Sequence, residues 1–179
     1  MSKAVPESLD ERLQEIVRRS KSSPAAVARD PVNQPMIRHW CDAIGDTNPV
    51  YTDEEAAAAS VHAGIVAPPT MLQAWSMPGL GPRPKRADGG ASPLSILDEA
   101  GYTSVVATDC EQEYLRYLKP GDLLSVTSRL ESISVEKHTA LGDGYFVTNL
   151  STYRDQHGEV VAEMRFRILK FKPPSASSP

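Results

Sequence analysis

The sequence predicts an α+β domain in which one apolar helix lies on a curved antiparallel sheet. Three observations lead there. Helical periodicities occupy the first half of the chain, long strand-like runs fill the second, and the segment Thr70 to Met77 is the most apolar helix available for burial. A chain of 179 residues suits one domain with a continuous core.

Ser8, with Glu11 three positions on, forms a capping box around Leu9, Leu13, Ile16 and Val17, which share one helical face. This helix belongs to an N-terminal extension over residues 1–27, ahead of a main domain over 28–172. A second helix starts after Asn33, with Pro35 in its first turn and Met36, Trp40 and Ile44 along one side until Gly45. Gly45-Asp46-Thr47-Asn48-Pro49 is a turn-forming cluster, and Asp53 opens a helix-favouring run to Ser60. Pro68-Pro69 excludes a helix interior, after which Thr70 starts the helix carrying Met71, Leu72, Trp75 and Met77.

From Pro78 to Pro93 the chain is rich in Gly, Pro and charge and reads as an irregular connection. Val105 to Tyr114, Leu123 to Val135, Tyr145 to Arg154 and Glu159 to Phe171 are then strand-like. Turn signals at Lys119–Asp122, Gly142–Gly144 and Asp155–Gly158 separate them and imply an antiparallel meander. Residues 173–179 read as a disordered linker or tail.

Composition removes several function classes. A formal charge of −4 and an isoelectric point near 5.6 provide no basic field, which disfavours nucleic acid as a partner. The N-terminus has no apolar run of the kind a secretory signal or membrane anchor needs, so the expected location is cytoplasmic. Cys41 and Cys110 lack a CxxC or a Cys/His ligand cluster, which argues against a zinc site or disulfide framework, and both are expected to be small buried apolar residues. Gly79-Leu80-Gly81 lacks the flanking pattern of a phosphate-cradling loop.

Gly45-Asp46-Thr47-Asn48-Pro49-Val50-Tyr51 resembles the G-D-x-N-P-hydrophobic-His motif of MaoC-like hydratases and dehydratases in six of its seven positions. Gly64 to Met71 looks like the approach to that family's central helix, and Tyr117 to Asp122 like its sheet turn. The resemblance implies a hot-dog fold: a curved antiparallel sheet wrapped around a central apolar helix, here with an added N-terminal helix. Further runs, Ala28 to Trp40, Leu97 to Tyr102 and Arg167 to Pro173, resemble the non-catalytic subunits of actinobacterial steroid side-chain enoyl-CoA hydratases. That class implies a catalytic MaoC-like partner in a heterodimer or heterotetramer and a coenzyme A thioester as substrate, with no cofactor. It also implies a further C-terminal domain through which a thiolase- or aldolase-like protein is bound.

Hydration of an α,β-unsaturated thioester needs a base to activate water, an acid near the α-carbon and donors on the thioester oxygen. The motif resemblance gives Asp46 a residual catalytic role, whereas Tyr51 stands where the family has histidine. A phenol with an ordinary pKa of about 10 replaces imidazole poorly at neutral pH. The same resemblance implies that catalytic members of the family have His-Gly where this chain has Pro68-Pro69; if that glycine amide is the family's oxyanion donor, Pro69, with no amide hydrogen, does not replace it. Asp46 also has a simpler role, hydrogen bonding within its own turn.

Candidate acyl-binding residues are Trp40, Thr70, Met71, Trp75 and Tyr102, with Met77 beside them, although core packing accounts for most of these equally well. His62 has the wrong spacing for a displaced catalytic histidine, and His39, His138 and His157 are expected to be surface or structural. Arg83, Lys85 and Arg86 read as a solubilising loop in preference to a coenzyme A phosphate contact. Tyr114, Arg116 and Tyr117 suit sheet packing or a subunit interface. Two other readings share these residues: a self-sufficient hydratase or thioesterase using Asp46, and a scaffold that binds acyl-CoA or a partner without chemistry.

Overall fold

The computed structural model describes residues 8–80 and 92–173. The capping box forms at the start of α1 (Leu9–Arg19): the Ser8 hydroxyl accepts from the Glu11 amide at 3.2 Å and the Glu11 carboxylate accepts from the Ser8 amide at 2.9 Å. Beyond α1 the chain turns beside the sheet, where β1 (Ala26–Val27) pairs with Val126 and Ser125, an edge the sequence reading missed. α2 (Gln34–Ile44) is capped by Asn33, whose side chain accepts from the Met36 amide, and ends at left-handed Gly45. Its buried stripe centres on Ile37 and Cys41, with Met36 and Trp40 at the flank and Ile44 in solvent. A 3₁₀ turn over Pro49–Tyr51 leads to α3 (Glu54–Ala59), capped by Asp53.

The apolar helix expected from Thr70 to Met77 is shorter, and a 3₁₀ turn takes the place of its start. Pro69–Met71 forms a 3₁₀ turn, followed by α4 (Leu72–Ser76), and neither has a side-chain cap. Met71, Leu72 and Trp75 are buried as expected, but Met77 lies past the helix end and is 67% exposed. α5 (Pro93–Glu99) follows, with Ser92 as cap and Pro93 in the first turn, a start signal that the expected irregular connection had absorbed.

The sheet contains β2 (Ser104–Tyr114), β3 (Ser125–Ile133), β4 (Lys137–Thr139), β5 (Gly142–Arg154) and β6 (Val160–Lys172). Its order is β1-β3-β5-β6-β2, antiparallel throughout, with β4 folded onto the start of β5. The expected meander therefore holds for β3, β5 and β6 and fails at β2, which lies at the far edge beside β6. The cause is the segment between β2 and β3, whose backbone is committed elsewhere: Leu118 accepts from Ala67, the Gly121 amide donates to Val32, and Leu124 accepts from Ala28, all at 2.8 Å. Arg116 fixes the crossing by bridging Asp122 at 2.7 Å and Asp155 at 2.9 Å. The residues read as a hairpin turn are thus a strap across the end of the sheet.

Gly142 and Gly144 also serve a different purpose from the one expected. The chain reverses at Ala140–Leu141, while both glycines lie within β5, where a side chain would run into the β6 backbone at Lys172 and Lys170. Cys110 is exposed on β2 and not buried as expected, because an edge strand has no neighbour to cover it.

Tyr145, Val147 and Tyr153 alternate along β5 and share one face of the sheet. Two apolar clusters cover that face. One joins Ile37, Cys41, Tyr51, Met71, Leu72, Trp75, Tyr153 and Ala162; the other joins Leu13 of α1, Ile96 and Leu97 of α5, Tyr102, Tyr145 and Val147. Each buried Leu or Ile contributes about 1.5–3 kcal/mol of stability, so α1 and α5 are integral to the second cluster.

Candidate active site

Asp46 follows the left-handed glycine that ends α2, and its backbone amide donates to the Cys41 carbonyl at 2.9 Å. Its carboxylate accepts from the Asn48 amide at 3.0 Å, and the Asn48 side chain accepts from the Val50 amide at 3.3 Å. Two successive side-chain turns thereby deliver Tyr51 to the core, where it is 7% exposed. Burial, followed by the nearby Tyr117 and Asp46, raises the pKa of the Tyr51 phenol above its ordinary value. At neutral pH this group keeps its proton and does not act as a base toward water.

Tyr117 links this loop to His62, since their rings are tilted against each other with centroids 4.4 Å apart. Lys119 Nζ holds the His62 carbonyl at 2.9 Å. His62 therefore reaches the motif through Tyr117, a residue assigned from sequence to sheet packing or a subunit interface. Of the remaining histidines, His39 and His157 are exposed, and exposed His138 lies 2.6 Å from Asp143.

Pro68 and Pro69 open the turn into α4, so two successive positions lack an amide hydrogen. Thr70 beside them is exposed. Trp40, Met71 and Trp75 gather in the cluster that contains Tyr51, and the indole N–H groups of Trp40 and Trp75 are buried without an acceptor among the described residues. Tyr102 is not with them. It belongs to the second cluster, where its hydroxyl bonds Glu136, its ring meets Tyr145 edge-on at 5.0 Å, and the Lys172 ammonium lies 4.0 Å over its face. Burial, and then the Glu136 bond, push its pKa up to about 12.

A cavity of about 840 Å³ opens between α1, α5, β3 and β5, lined among others by Ile16, Leu94, Leu130, Val147 and Asn149. None of the residues proposed from sequence for acyl binding lines it. Arg83, Lys85 and Arg86 lie outside the described residues. Among the described residues no three His, Cys, Asp or Glu side chains gather to hold a metal ion, and no helix is long and apolar enough to cross a membrane.

Residues 22–164 match the family model of the FAS1-like dehydratase domain region. The chain belongs to the FAS1-like dehydratase family. Two relatives carry the match further. A probable enoyl-CoA hydratase alpha subunit of Thermomonospora curvata is 55% identical over 170 residues, covering 93% of this chain and 53% of that protein. The 3-oxo-4,17-pregnadiene-20-carboxyl-CoA hydratase alpha subunit of Mycobacterium tuberculosis is 48% identical over 169 residues, covering 93% of this chain and 54% of that protein. The chain thus spans about half the length of these curated relatives.

Among solved structures, a chain of the ChsH1-ChsH2 complex from Mycobacterium tuberculosis superposes with a TM-score of 0.83 at 47% identity, over 95% of this chain and 94% of that one. The sheet and helices of this family member are those of the MaoC-like hot-dog fold. What separates it from the G-D-x-N-P-hydrophobic-His motif is the buried phenol of Tyr51.

Proposed function

We propose that this chain is the non-catalytic subunit of a heteromeric enoyl-CoA hydratase acting on a bulky, steroid side-chain enoyl-CoA. It provides acyl-binding space and structural support to a catalytic MaoC-like partner. The observation that carries the reading is Tyr51: a buried phenol with a raised pKa occupies the position of the motif's imidazole. Pro68 and Pro69 add to it, because neither offers an amide hydrogen where thioester charge would develop. Asp46 is engaged with the Asn48 amide, which supports a role in holding the turn and disfavours a self-sufficient hydratase or thioesterase.

β2 supports the partner. It is an eleven-residue edge strand, exposed along most of its length, with Val105 and Val106 uncovered. Such an edge invites a further strand, and the catalytic subunit is the strand's proposed source, as a heterodimer or heterotetramer. The substrate is a coenzyme A thioester and no cofactor takes part. Where the protein continues beyond this sequence as its relatives do, the additional domain is the proposed site for a thiolase- or aldolase-like protein. Steroid breakdown in the cytoplasm is the setting this implies.

The test is reconstitution. The isolated chain is expected to leave an enoyl-CoA unhydrated, and mixing with a small MaoC-like protein that carries an intact motif is expected to restore hydration. Enzyme-like turnover by the isolated chain, or an assembly whose activity ignores its presence, would overturn the proposal.

A further inference from the structure

We infer that Asn149 determines the specificity of the cavity between α1, α5 and the sheet, by donating a hydrogen bond to a ring ketone at the far end of a polycyclic acyl group. The inference rests on the proposed hydratase reading and adds to it the chemistry of the end remote from the thioester.

Asn149 lies at the middle of β5, directly opposite Leu130 on β3 and Phe166 on β6. It shares the sheet face with Val147 and Ser151, and its row is the gap between the two apolar clusters. The neighbouring polar row is satisfied within itself, since the Ser128 and Ser151 hydroxyls bond each other at 2.8 Å. Asn149 is different: half-buried, it lines the cavity and makes no side-chain hydrogen bond among the described residues. Asparagine is a poor strand residue, and the carboxamide of this one is bonded to no described residue.

The surroundings specify the ligand. Ile16, Leu94, Leu130 and Val147 form an apolar stretch of a wall that also carries serines and the charged Glu15, Arg19, Lys21 and Arg129, so the part of the ligand lying on that stretch is apolar. Of the lining cations, Arg19 has Glu15 and Arg129 has Glu131 as ion-pair partners, and Lys21 is exposed to solvent. The carboxamide is neutral and offers two N–H donors, which fits an uncharged carbonyl without the desolvation cost of burying an ion. A volume of about 840 Å³ is that of a site for a large small molecule, and an apolar body must be bulky to fill it. The cavity adjoins the second cluster, whereas the Gly45–Tyr51 motif adjoins the first, so the end it receives is the one away from the thioester.

Calorimetric titration of the isolated chain tests this without catalysis, using a free 3-oxo-4-ene steroid and its 3-deoxy analogue. Wild type is expected to favour the ketone by roughly 5-fold, the worth of one neutral hydrogen bond. Asn149→Leu should bind both equally while keeping its near-UV circular dichroism, and Leu130→Trp should bind neither by filling the cavity. Equal affinities in wild type, a ketone preference that survives Asn149→Leu, binding that survives Leu130→Trp, or no binding of either compound would each overturn the inference. The hydratase reading fails separately: reconstituted hydration with no ketone preference discards Asn149 and retains the subunit's role, and the reverse result does the opposite.

Discussion

A phenol buried beside a carboxylate behaves unlike the imidazole that the motif calls for. Tyr51 holds its proton throughout the neutral range, and burial together with Tyr117 and Asp46 pushes its titration further from it. Restoring the imidazole at this one position does not restore the site, because Pro69 still lacks an amide hydrogen. Tyr51→His in the isolated chain is accordingly expected to leave enoyl-CoA hydration at background in a spectrophotometric assay. Asp46 gives the complementary case. As a turn residue it is expected to lose about 1 kcal/mol on Asp46→Ala and less on Asp46→Asn, measured by urea unfolding. Both variants should leave kcat of the reconstituted hydratase within twofold, whereas a drop of about 100-fold would assign the carboxylate a chemical role. The motif was legible in sequence because turn chemistry and spacing are local. Tyr117, which connects the motif to His62, was not, since only the tertiary fold brings these residues together.

Among the elements, α4 and β2 depart most from what the pattern alone conveys. The run Met71 to Trp75 announces burial, but two prolines at its start and an early end at Ser76 reduce the helix to five residues. The four long strands were readable from alternation and β-branched content, whereas their order was not. Strand order depends on the strap from Leu115 to Leu124, whose hydrogen bonds go to Ala67, Val32 and Ala28, partners no local window contains. The exposed β2 that results makes a prediction at this scale. Lysines at both Val105 and Val106 oppose strand addition, and the double variant is expected to retain its circular dichroism while its affinity for the catalytic subunit, read by sedimentation, falls at least about tenfold. Unchanged assembly would place the interface elsewhere.

For the molecule as a whole, α1 packs into the second apolar cluster. Leu13 is fully buried, and the Tyr145 hydroxyl donates to Asp10 at 2.7 Å. Leu13→Ala is expected to cost about 2–5 kcal/mol in chemical unfolding, where a peripheral helix would cost little. The strap provides the pH dependence. Burial opposes ionisation of Asp155, but Arg116 and the Glu159 and His157 amides outweigh it and lower the pKa. A lowered folded-state pKa means the stabilisation is complete above the unfolded value of about 3.9 and is lost as pH falls through the folded one. Thermal melts should therefore show wild type losing stability below about pH 4 more steeply than Asp155→Asn.

β6 has a further consequence. Its thirteen residues run roughly 40 Å from the end near Asp155 to Lys172, which rests on Tyr102. The polypeptide leaves the sheet at the pole opposite the Gly45–Tyr51 loop. Any module fused downstream of Pro173 is consequently anchored beside α5 and Tyr102, at the end of the sheet remote from the Gly45–Tyr51 loop.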